Sequence, residues 1–116
     1  MPINKVVLVG NLTRDPELKA TGTGAQVLEY GIAVSKRVPS GEPGEWEDRP
    51  NYFDCTMFGD RAGTLSHHLS KGMKVAIEGE LRYSSWETDG GRRSKVDIVV
   101  HELEFMSRRE SSAGND

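Results

Sequence analysis

Alternation of apolar and polar residues is the main signal along this chain, and it predicts short β-strands. Between 73 and 83, apolar side chains recur at every second position, interrupted by one glycine, which is the pattern of a strand with one buried side. Glycine and proline separate this segment from others of similar length, a habit typical of a small all-β protein. The predicted strands cover residues 3–12, 26–38, 52–58, 73–83 and 95–105.

The segments between these strands predict one helix and several loops. Residues 60–71 carry apolar side chains at helical spacing, with Asp60 as the candidate cap of the first turn and Gly72 suited to the position after a helix end. The stretch 39–50 is rich in proline and glycine and is predicted to be a loop. A hairpin loop is predicted over 84–94.

Strand phase assigns several individual side chains. Tyr30, Phe53 and Phe105 fall on predicted inward positions and are expected in the core. Gly79 falls on the apolar side of its strand, which marks sharp coiling or a close approach of another backbone. The apolar positions change parity late in the last strand, and this change predicts a bulge near 101–102.

The order of the elements indicates the architecture. Five coiled strands with a single helix between the third and the fourth are typical of an OB-fold barrel, whereas an SH3-like barrel lacks a helix at that point. We therefore predict an all-β protein, a five-stranded OB-fold barrel with one helix between strands 3 and 4. The barrel is predicted to occupy residues 1–106 as one domain, and residues 107–116 are predicted to form a short polar flexible tail.

Length, cysteine content and charge narrow the class of protein. A chain of 116 residues with one cysteine suits one domain without a disulfide framework. No apolar run approaches the ~18 residues of a membrane span, and the N-terminal segment lacks the features of a secretory signal, so we expect a cytoplasmic protein. The formal charge of −3 at first argues against nucleic acid. Acidic residues are concentrated at 42–48 and 102–110, however, and the remainder of the chain is net positive.

Aromatic residues outside the predicted core stand near basic ones. Trp86 lies in the predicted loop after the fourth strand, and Tyr52 and Phe58 lie on the side of the third strand opposite Phe53. Single-stranded nucleic acid is bound by rings that stack on bases and by cations that follow the phosphates. The alternatives are that the aromatics pack against the protein itself and that the arginines form an ordinary solvated turn. The candidate basic residues are Lys36, Arg37, Arg49, Lys74, Arg82, Arg92, Arg93 and Lys95.

Catalytic and metal chemistry find little support in the sequence. Cys55 falls on an inward strand position, where a free cysteine is usually an inert small hydrophobe. His67 and His68 are adjacent, so they point about 100° apart on a helix and do not form a metal pair. The glycines match no nucleotide-phosphate motif. We therefore predict no catalytic residue, no metal and no cofactor.

Two motifs in this sequence resemble those of the bacterial single-stranded DNA-binding protein family, usually called SSB. One is residues 4–12 followed by 15–17, and the other joins residues 71–82 to Trp86. The resemblance runs from Asn4 to Phe105. It implies a non-catalytic OB-fold protein that assembles as a homotetramer and wraps single-stranded DNA without sequence preference, in replication, recombination and repair.

The same resemblance implies roles for three aromatic residues. Tyr52 stands where the family has an aromatic at the start of the third strand, and Phe58 matches the phenylalanine of the family's Phe-Gly pair. Trp86 matches the tryptophan that follows the fourth strand. All three are implied to stack on bases.

This sequence departs from the family pattern in two places. The family often has an aromatic at the end of the second strand, where residues 36–38 have none, and Trp46 is a candidate to replace it. The family's tail recruits replication and repair proteins and ends in acidic residues followed by Pro-Phe, whereas residues 111–116 have no such tip. The resemblance therefore carries no expectation of those protein partners for this chain.

Two hypotheses about function follow. The first is a sequence-independent single-stranded DNA-binding protein. The alternative is an OB-fold adaptor of a primosome-like complex, which makes mainly protein–protein contacts, because one fold hosts many functions. Oligomeric state separates the two, since a monomer or dimer would favour the adaptor.

Overall fold

Residues 2–106 are described by a computed structural model, which has six strands and one helix over this range. In chain order, the elements are β1 (Val6–Leu12), β2 (Glu17–Ala20), β3 (Gln26–Pro39), β4 (Trp46–Phe58), α1 (Asp60–Ser66), β5 (Lys74–Thr88) and β6 (Gly91–Phe105). The predicted tail over 107–116 lies outside the described residues.

Five of the strands close into a barrel. The strand order is β1-β5-β6-β4-β3-β2, and β1 also pairs with β3 through Asn11 opposite Ala33 and Leu12 opposite Ile32. The short β2 pairs only with β3 and lies outside the closed ring. With α1 between β4 and β5, the predicted five-stranded OB-fold barrel is confirmed.

The barrel interior is filled by side chains from every barrel strand and from α1. Tyr30 is fully buried, as predicted, and Phe53 is half-buried against the core. The prediction for Phe105 was wrong: it is the last residue of β6 and its side chain is half exposed beyond the buried Leu103. The fully buried large side chains are Tyr30, Leu28, Ile32, Ile77, Ile98, Val75 and Cys55.

A bulge and a close backbone contact bend the sheet at the same place. Glu78 pairs with Glu102 but Gly79 pairs with Val100, so His101 is the extra residue of β6, and the predicted bulge is confirmed. A Cβ on Gly79 would collide with the carbonyl oxygen of Val99. The close approach predicted from this inward glycine is therefore present, and only a residue without a side chain fits it.

Two hairpins extend well past the barrel, so half of the loop predicted at 39–50 and most of the loop predicted at 84–94 are strand. The β3–β4 ladder continues to Pro39 opposite Trp46, and the β5–β6 ladder continues to Thr88 opposite Gly91. Proline is tolerated in such a two-stranded ribbon because each strand has one edge where no N–H is required. We call these extensions the β3–β4 arm (residues 35–50) and the β5–β6 arm (residues 82–97).

The helix is shorter than predicted. It begins at Asp60, with Gly59 rather than Asp60 at the N-cap and no side-chain cap, and it ends at Ser66. Tighter turns follow, in which the amides of His67 and His68 bond to carbonyls three residues back. Leu69 is still buried in those turns. Within residues 2–106 no helix is long and apolar enough to cross a membrane.

Candidate nucleic-acid interface

The two sides of β4 differ in the way the sequence predicted. Phe53, Cys55 and Met57 face the barrel interior. The alternate residues face outward, and Tyr52 and Phe58 are 70% and 48% exposed. Two large aromatic rings therefore stand on the outer side of one strand with much of their area in water.

Trp86 lies in a strand rather than in the predicted loop. It belongs to β5, directly opposite Arg93 on β6, and it is 46% exposed. Because directly opposed residues point to the same side of a sheet, the indole and the Arg93 guanidinium are neighbours. The two-residue tip of the hairpin, Asp89 and Gly90, closes the arm just beyond them.

A buried carboxylate ties the outer side of β4 to that of β5 and β6. Asp97 is buried, and its Oδ2 accepts a hydrogen bond from Thr56 Oγ1 at 2.9 Å. Arg82 donates to both carboxylate oxygens, from Nε to Oδ1 at 3.1 Å and from Nη2 to Oδ2 at 2.7 Å. This two-pronged contact fixes the plane of the guanidinium. It joins three strands through outward-facing side chains.

The Arg82 guanidinium also lies over an aromatic ring. Its central carbon is 5.5 Å from the centroid of the Phe58 ring, within the range of a cation–π contact. Burial by itself would raise the pKa of Asp97, but hydrogen bonds from Arg82 and Thr56 outweigh it and hold the pKa below its ordinary value. The hydrogen bond to Asp97 raises the pKa of Arg82. The Arg82 guanidinium beside Phe58 is thus held in place by the Asp97 carboxylate.

The candidate basic residues fall on different sides of the sheet. Strand pairing puts four of them on the outer side with the three aromatics: Arg37, Arg82, Arg93 and Lys95. Lys36, Arg49 and Arg92 have the opposite parity and face the other side of the arms. Lys74 has outer parity but begins β5, twelve residues before Trp86, which is about 40 Å along the strand.

Several of these cations already contact carboxylates. Lys95 Nζ is 3.6 Å from Asp54 Oδ2, and Arg92 Nη1 is 3.0 Å from Glu87 Oε2. Arg49 Nη2 is 3.7 Å from Glu47 Oε2. These pairs are exposed, and exposed pairs contribute only about 0–1 kcal/mol, so an incoming phosphate can displace them.

Three candidate cations have no such partner. Among residues 2–106, no carboxylate lies within 4.0 Å of Lys36, Arg37 or Arg93. Arg37 and Arg93 also have outer parity, one on each arm. Arg93 stands opposite Trp86 and carries uncompensated positive charge on the β5–β6 arm, whereas Arg37 stands opposite Asp48 on the β3–β4 arm.

The sequence reading missed Asp97 and Thr56. Strand alternation puts both on the outer side, since each stands between apolar residues of the opposite parity, but it assigns neither of them a role. The pairing register was needed to bring Asp97 opposite Arg82. A lone aspartate inside an apolar run was the available signal, because a buried carboxylate requires a partner.

The remaining chemistry at this surface is limited. Cys55 is buried, and burial first, then the charges of Asp54 and Asp97, raise the pKa of its thiol to about 12. Such a thiol is not a nucleophile at neutral pH. Within the described part of the chain, no group of three or more His, Cys, Asp or Glu side chains is placed to hold a metal ion.

Comparison with known proteins decides the family. Residues 3–106 match the model of the Single-strand binding protein family. The chain belongs to this family. Among its relatives, the single-stranded DNA-binding protein of Borreliella burgdorferi is 45% identical over 107 residues, which cover 90% of this chain and 70% of that protein. That of Treponema pallidum is 42% identical over 104 residues, which cover 90% of this chain and 58% of that protein.

Solved structures of the family share the fold. A chain of the Plasmodium falciparum SSB complex with ssDNA superposes with a TM-score of 0.80 at 20% identity, covering 92% of this chain and 97% of that one. A deletion mutant of the single-stranded DNA binding protein from Thermus aquaticus gives a TM-score of 0.80 at 29% identity, covering 92% of this chain and 52% of that one. The fold of this chain is thus shared with both structures.

Proposed function

We propose that this protein binds single-stranded DNA without sequence preference and without catalysis, and that it protects exposed strands in replication, recombination and repair. The two relatives are named for binding single-stranded DNA. Single-stranded DNA in bacteria is exposed at the nucleoid, so the proposal places the protein in the cytoplasm. The adaptor alternative is not favoured, because no observation on this surface points to a protein partner over a nucleic acid.

One observation carries the proposal: Tyr52, Phe58 and Trp86 are all about half exposed or more and share the outer side of the sheet. Large rings lose little conformational freedom when a base covers them, and each stacked base is worth about 1–3 kcal/mol. A stack does not depend on which base is present. This arrangement supports binding that ignores sequence.

The cations of the outer side support the other half of such binding. We call the three rings Tyr52, Phe58 and Trp86 the aromatic track. Arg82 stands over the Phe58 ring, Lys95 lies farther along β6, and Arg93 lies beside Trp86. Each phosphate neutralised by a cation releases counterions, so affinity should fall as salt rises. The overall charge of −3 does not oppose this, because the field close to the arms governs the contact.

We also propose that the protein is a homotetramer, as the family resemblance implies. β1 supports an interface between copies. It pairs with β5 from Val6 to Asn11 but with β3 only at Asn11 and Leu12, so within the described residues one edge of Val6–Gly10 is unpaired. Val7 and Val9 project from that strand and are 67% and 42% exposed. Exposed edges and apolar side chains are commonly covered by another chain.

A titration with oligo(dT) at two salt concentrations tests the proposal. We expect the tryptophan fluorescence of the protein to be quenched as the strand binds, and the affinity to be weaker at the higher salt. Double-stranded DNA of the same length is the control and should bind much more weakly. Unchanged fluorescence together with no shift of labelled strand at low salt would contradict the proposal.

Replacing Trp86 tests the face more directly. Trp86→Ala should weaken oligo(dT) binding by about 1–3 kcal/mol, because one stacked base is lost, while the melting temperature changes little since the ring is outside the core. Trp86→Phe keeps a ring and should retain most of the affinity. Unfolding of the alanine variant would instead show that Trp86 is needed for the fold.

A further inference from the structure

β4 carries a third exposed aromatic ring in line with the other two. Trp46, Tyr52 and Phe58 follow one another at intervals of six residues. Because six is an even number, all three point to the same side of the strand, and each interval spans about 20 Å. Trp46 is 56% exposed and starts the strand at the tip of the β3–β4 arm.

The surroundings of Trp46 leave space beside its ring. It stands directly opposite Pro39, and the next outward pair of the ladder is Arg37 opposite Asp48. An open recess of about 400 Å³ at the tip is lined by Pro39, Trp46 and the turn residues 41–45. The indole lies outside the core cluster of the barrel. A planar group can therefore approach the indole without disturbing the fold.

The charges near Trp46 differ from those at the other rings. The tip carries Glu42 and Glu45, and the outward cation next along the ladder, Arg37, stands opposite Asp48. Glu47 and Arg49 face the other side of the arm and contact each other at 3.7 Å. Phosphates gain no net attraction at this tip, so stacking is the interaction that this position offers a strand.

We propose that Trp46 is a further stacking platform, which binds a base of single-stranded DNA and continues the track from Phe58 and Tyr52 along β4 to the end of the arm. This inference rests on the proposed function. It makes two specific claims about the contact at Trp46. Only long DNA strands reach Trp46, since it lies about 20 Å beyond Tyr52, and the strength of the contact depends little on salt.

The two tryptophans of the chain make a direct test possible. The only tryptophans in the sequence are Trp46 and Trp86, so in Trp86→Phe the tryptophan fluorescence, excited selectively over that of tyrosine, comes from Trp46 alone. We expect that signal to be quenched by a long oligo(dT), with binding followed independently by the anisotropy of labelled strand in the same samples. Anisotropy that saturates while the Trp46 fluorescence stays unchanged would overturn the inference.

A second experiment separates a stacking role from a structural one. Trp46→Ala should weaken binding of an oligo(dT) of about 35 nucleotides roughly 5- to 150-fold, the loss expected for one stacked base, and should change binding of one of about 8 nucleotides little. The salt dependence should stay as in the unmodified protein. Trp46→Phe is the matched control and should restore most of the long-strand affinity.

The remaining outcomes are also decisive. Equal weakening for both lengths, together with a lower melting temperature, would mean that Trp46 only supports the arm, and the inference would fail. If the unmodified protein binds no strand by anisotropy, the proposed function itself fails. If it binds and Trp86→Ala weakens binding while Trp46→Ala has no effect at either length, the proposed function stands and only the Trp46 platform is lost.

Discussion

At the scale of single residues, strand parity decides which cations can reach the aromatic track. Arg92 and Arg93 are neighbours in sequence, but they project from opposite sides of β6. Arg93 lies opposite Trp86, whereas Arg92 donates to Glu87 at 3.0 Å and to Ser85 at 3.4 Å. Two arginines of the same chemistry therefore have different tasks, which makes them a matched pair for experiment.

Arg93→Ala should lower the affinity for oligo(dT) and flatten the slope of log affinity against log salt by about one unit, because one phosphate contact is lost. Arg92→Ala removes the same charge from the other side of the arm and should leave the slope nearly unchanged. Titrations at three or more salt concentrations measure both. Equal changes in slope for the two variants would contradict a contact specific to the outer side.

At the scale of elements, the Asp97 carboxylate joins β6 to β4 through Thr56 and to β5 through Arg82. The buried anion depends on both donors, since a buried charge without partners is costly. The same contacts fix Arg82 over the Phe58 ring. One side chain therefore contributes both to the stability of the sheet and to the shape of the proposed interface.

Acid should weaken this junction in a defined direction. The pKa of Asp97 is lowered in the folded state, so its contribution is fully present above the unfolded value of about 3.9 and is lost as pH falls through the folded pKa. Asp97→Asn should cost about 1–2 kcal/mol at pH 7, given that solvent partly screens the half-exposed Arg82. That difference should shrink as the pH falls below the unfolded value and through the lowered folded pKa of Asp97.

Melting temperatures of the two proteins across this pH range measure the effect. Asp54→Asn is the matched control, because Asp54 is exposed and its ion pairs with Lys95 and Arg14 are long, at 3.6 and 3.9 Å. We expect it to change stability by less than about 1 kcal/mol at any pH. A penalty for Asp97→Asn that is the same at pH 7 and pH 3 would mean that the ionised carboxylate is not responsible.

The sequence predicts the barrel better than the arms, and burial explains the difference. At residues 53–57 one side of β4 faces the core, so the pattern alternates and the phase can be read. At residues 46–52 both sides are exposed, and no alternation is imposed on the side chains. The prolines and glycines are then the strongest signal in the sequence, and they predict a loop. The backbone nevertheless continues as a paired two-stranded ribbon.

The same limit applies to the proposed interface. Phe58 is found by phase because its part of β4 is half-buried, and Tyr52 is found because it directly precedes the inward Phe53. The sequence does not show which side of the sheet Lys36, Arg49 and Arg92 face. Their sides depend on strands that extend into segments predicted to be loops. The local composition indicates that cations lie near the aromatic rings. The pairing register is needed to determine which of these cations lie on the same side of the sheet as the rings.

At the scale of the whole molecule, the acidic tip of the β3–β4 arm, the pair of Trp86 and Arg93, and the exposed valines of β1 occupy different places. The acidic tip of the β3–β4 arm and the outward carboxylates Glu78, Glu102 and Glu104 lie away from Trp86 and Arg93. A net negative chain can thus present cations locally to a polyanion. The exposed Val7 and Val9 belong to β1, beside Glu78 rather than on the arms, so the proposed assembly through β1 would leave the aromatic track uncovered.

This separation leads to a prediction about assembly. Val7→Glu introduces a charge at the free edge of β1 and should dissociate the proposed tetramer into smaller species, since burying an unpaired carboxylate in an interface is costly. Sedimentation velocity measures the mass, and circular dichroism should show an intact fold because Val7 is exposed. Val96→Glu is the matched control: it adds the same charge at an exposed valine of the β5–β6 arm and should leave the mass unchanged. If Val96→Glu dissociates the assembly and Val7→Glu does not, copies meet through the arms, and the track that includes Trp86 would be partly covered by a neighbouring copy.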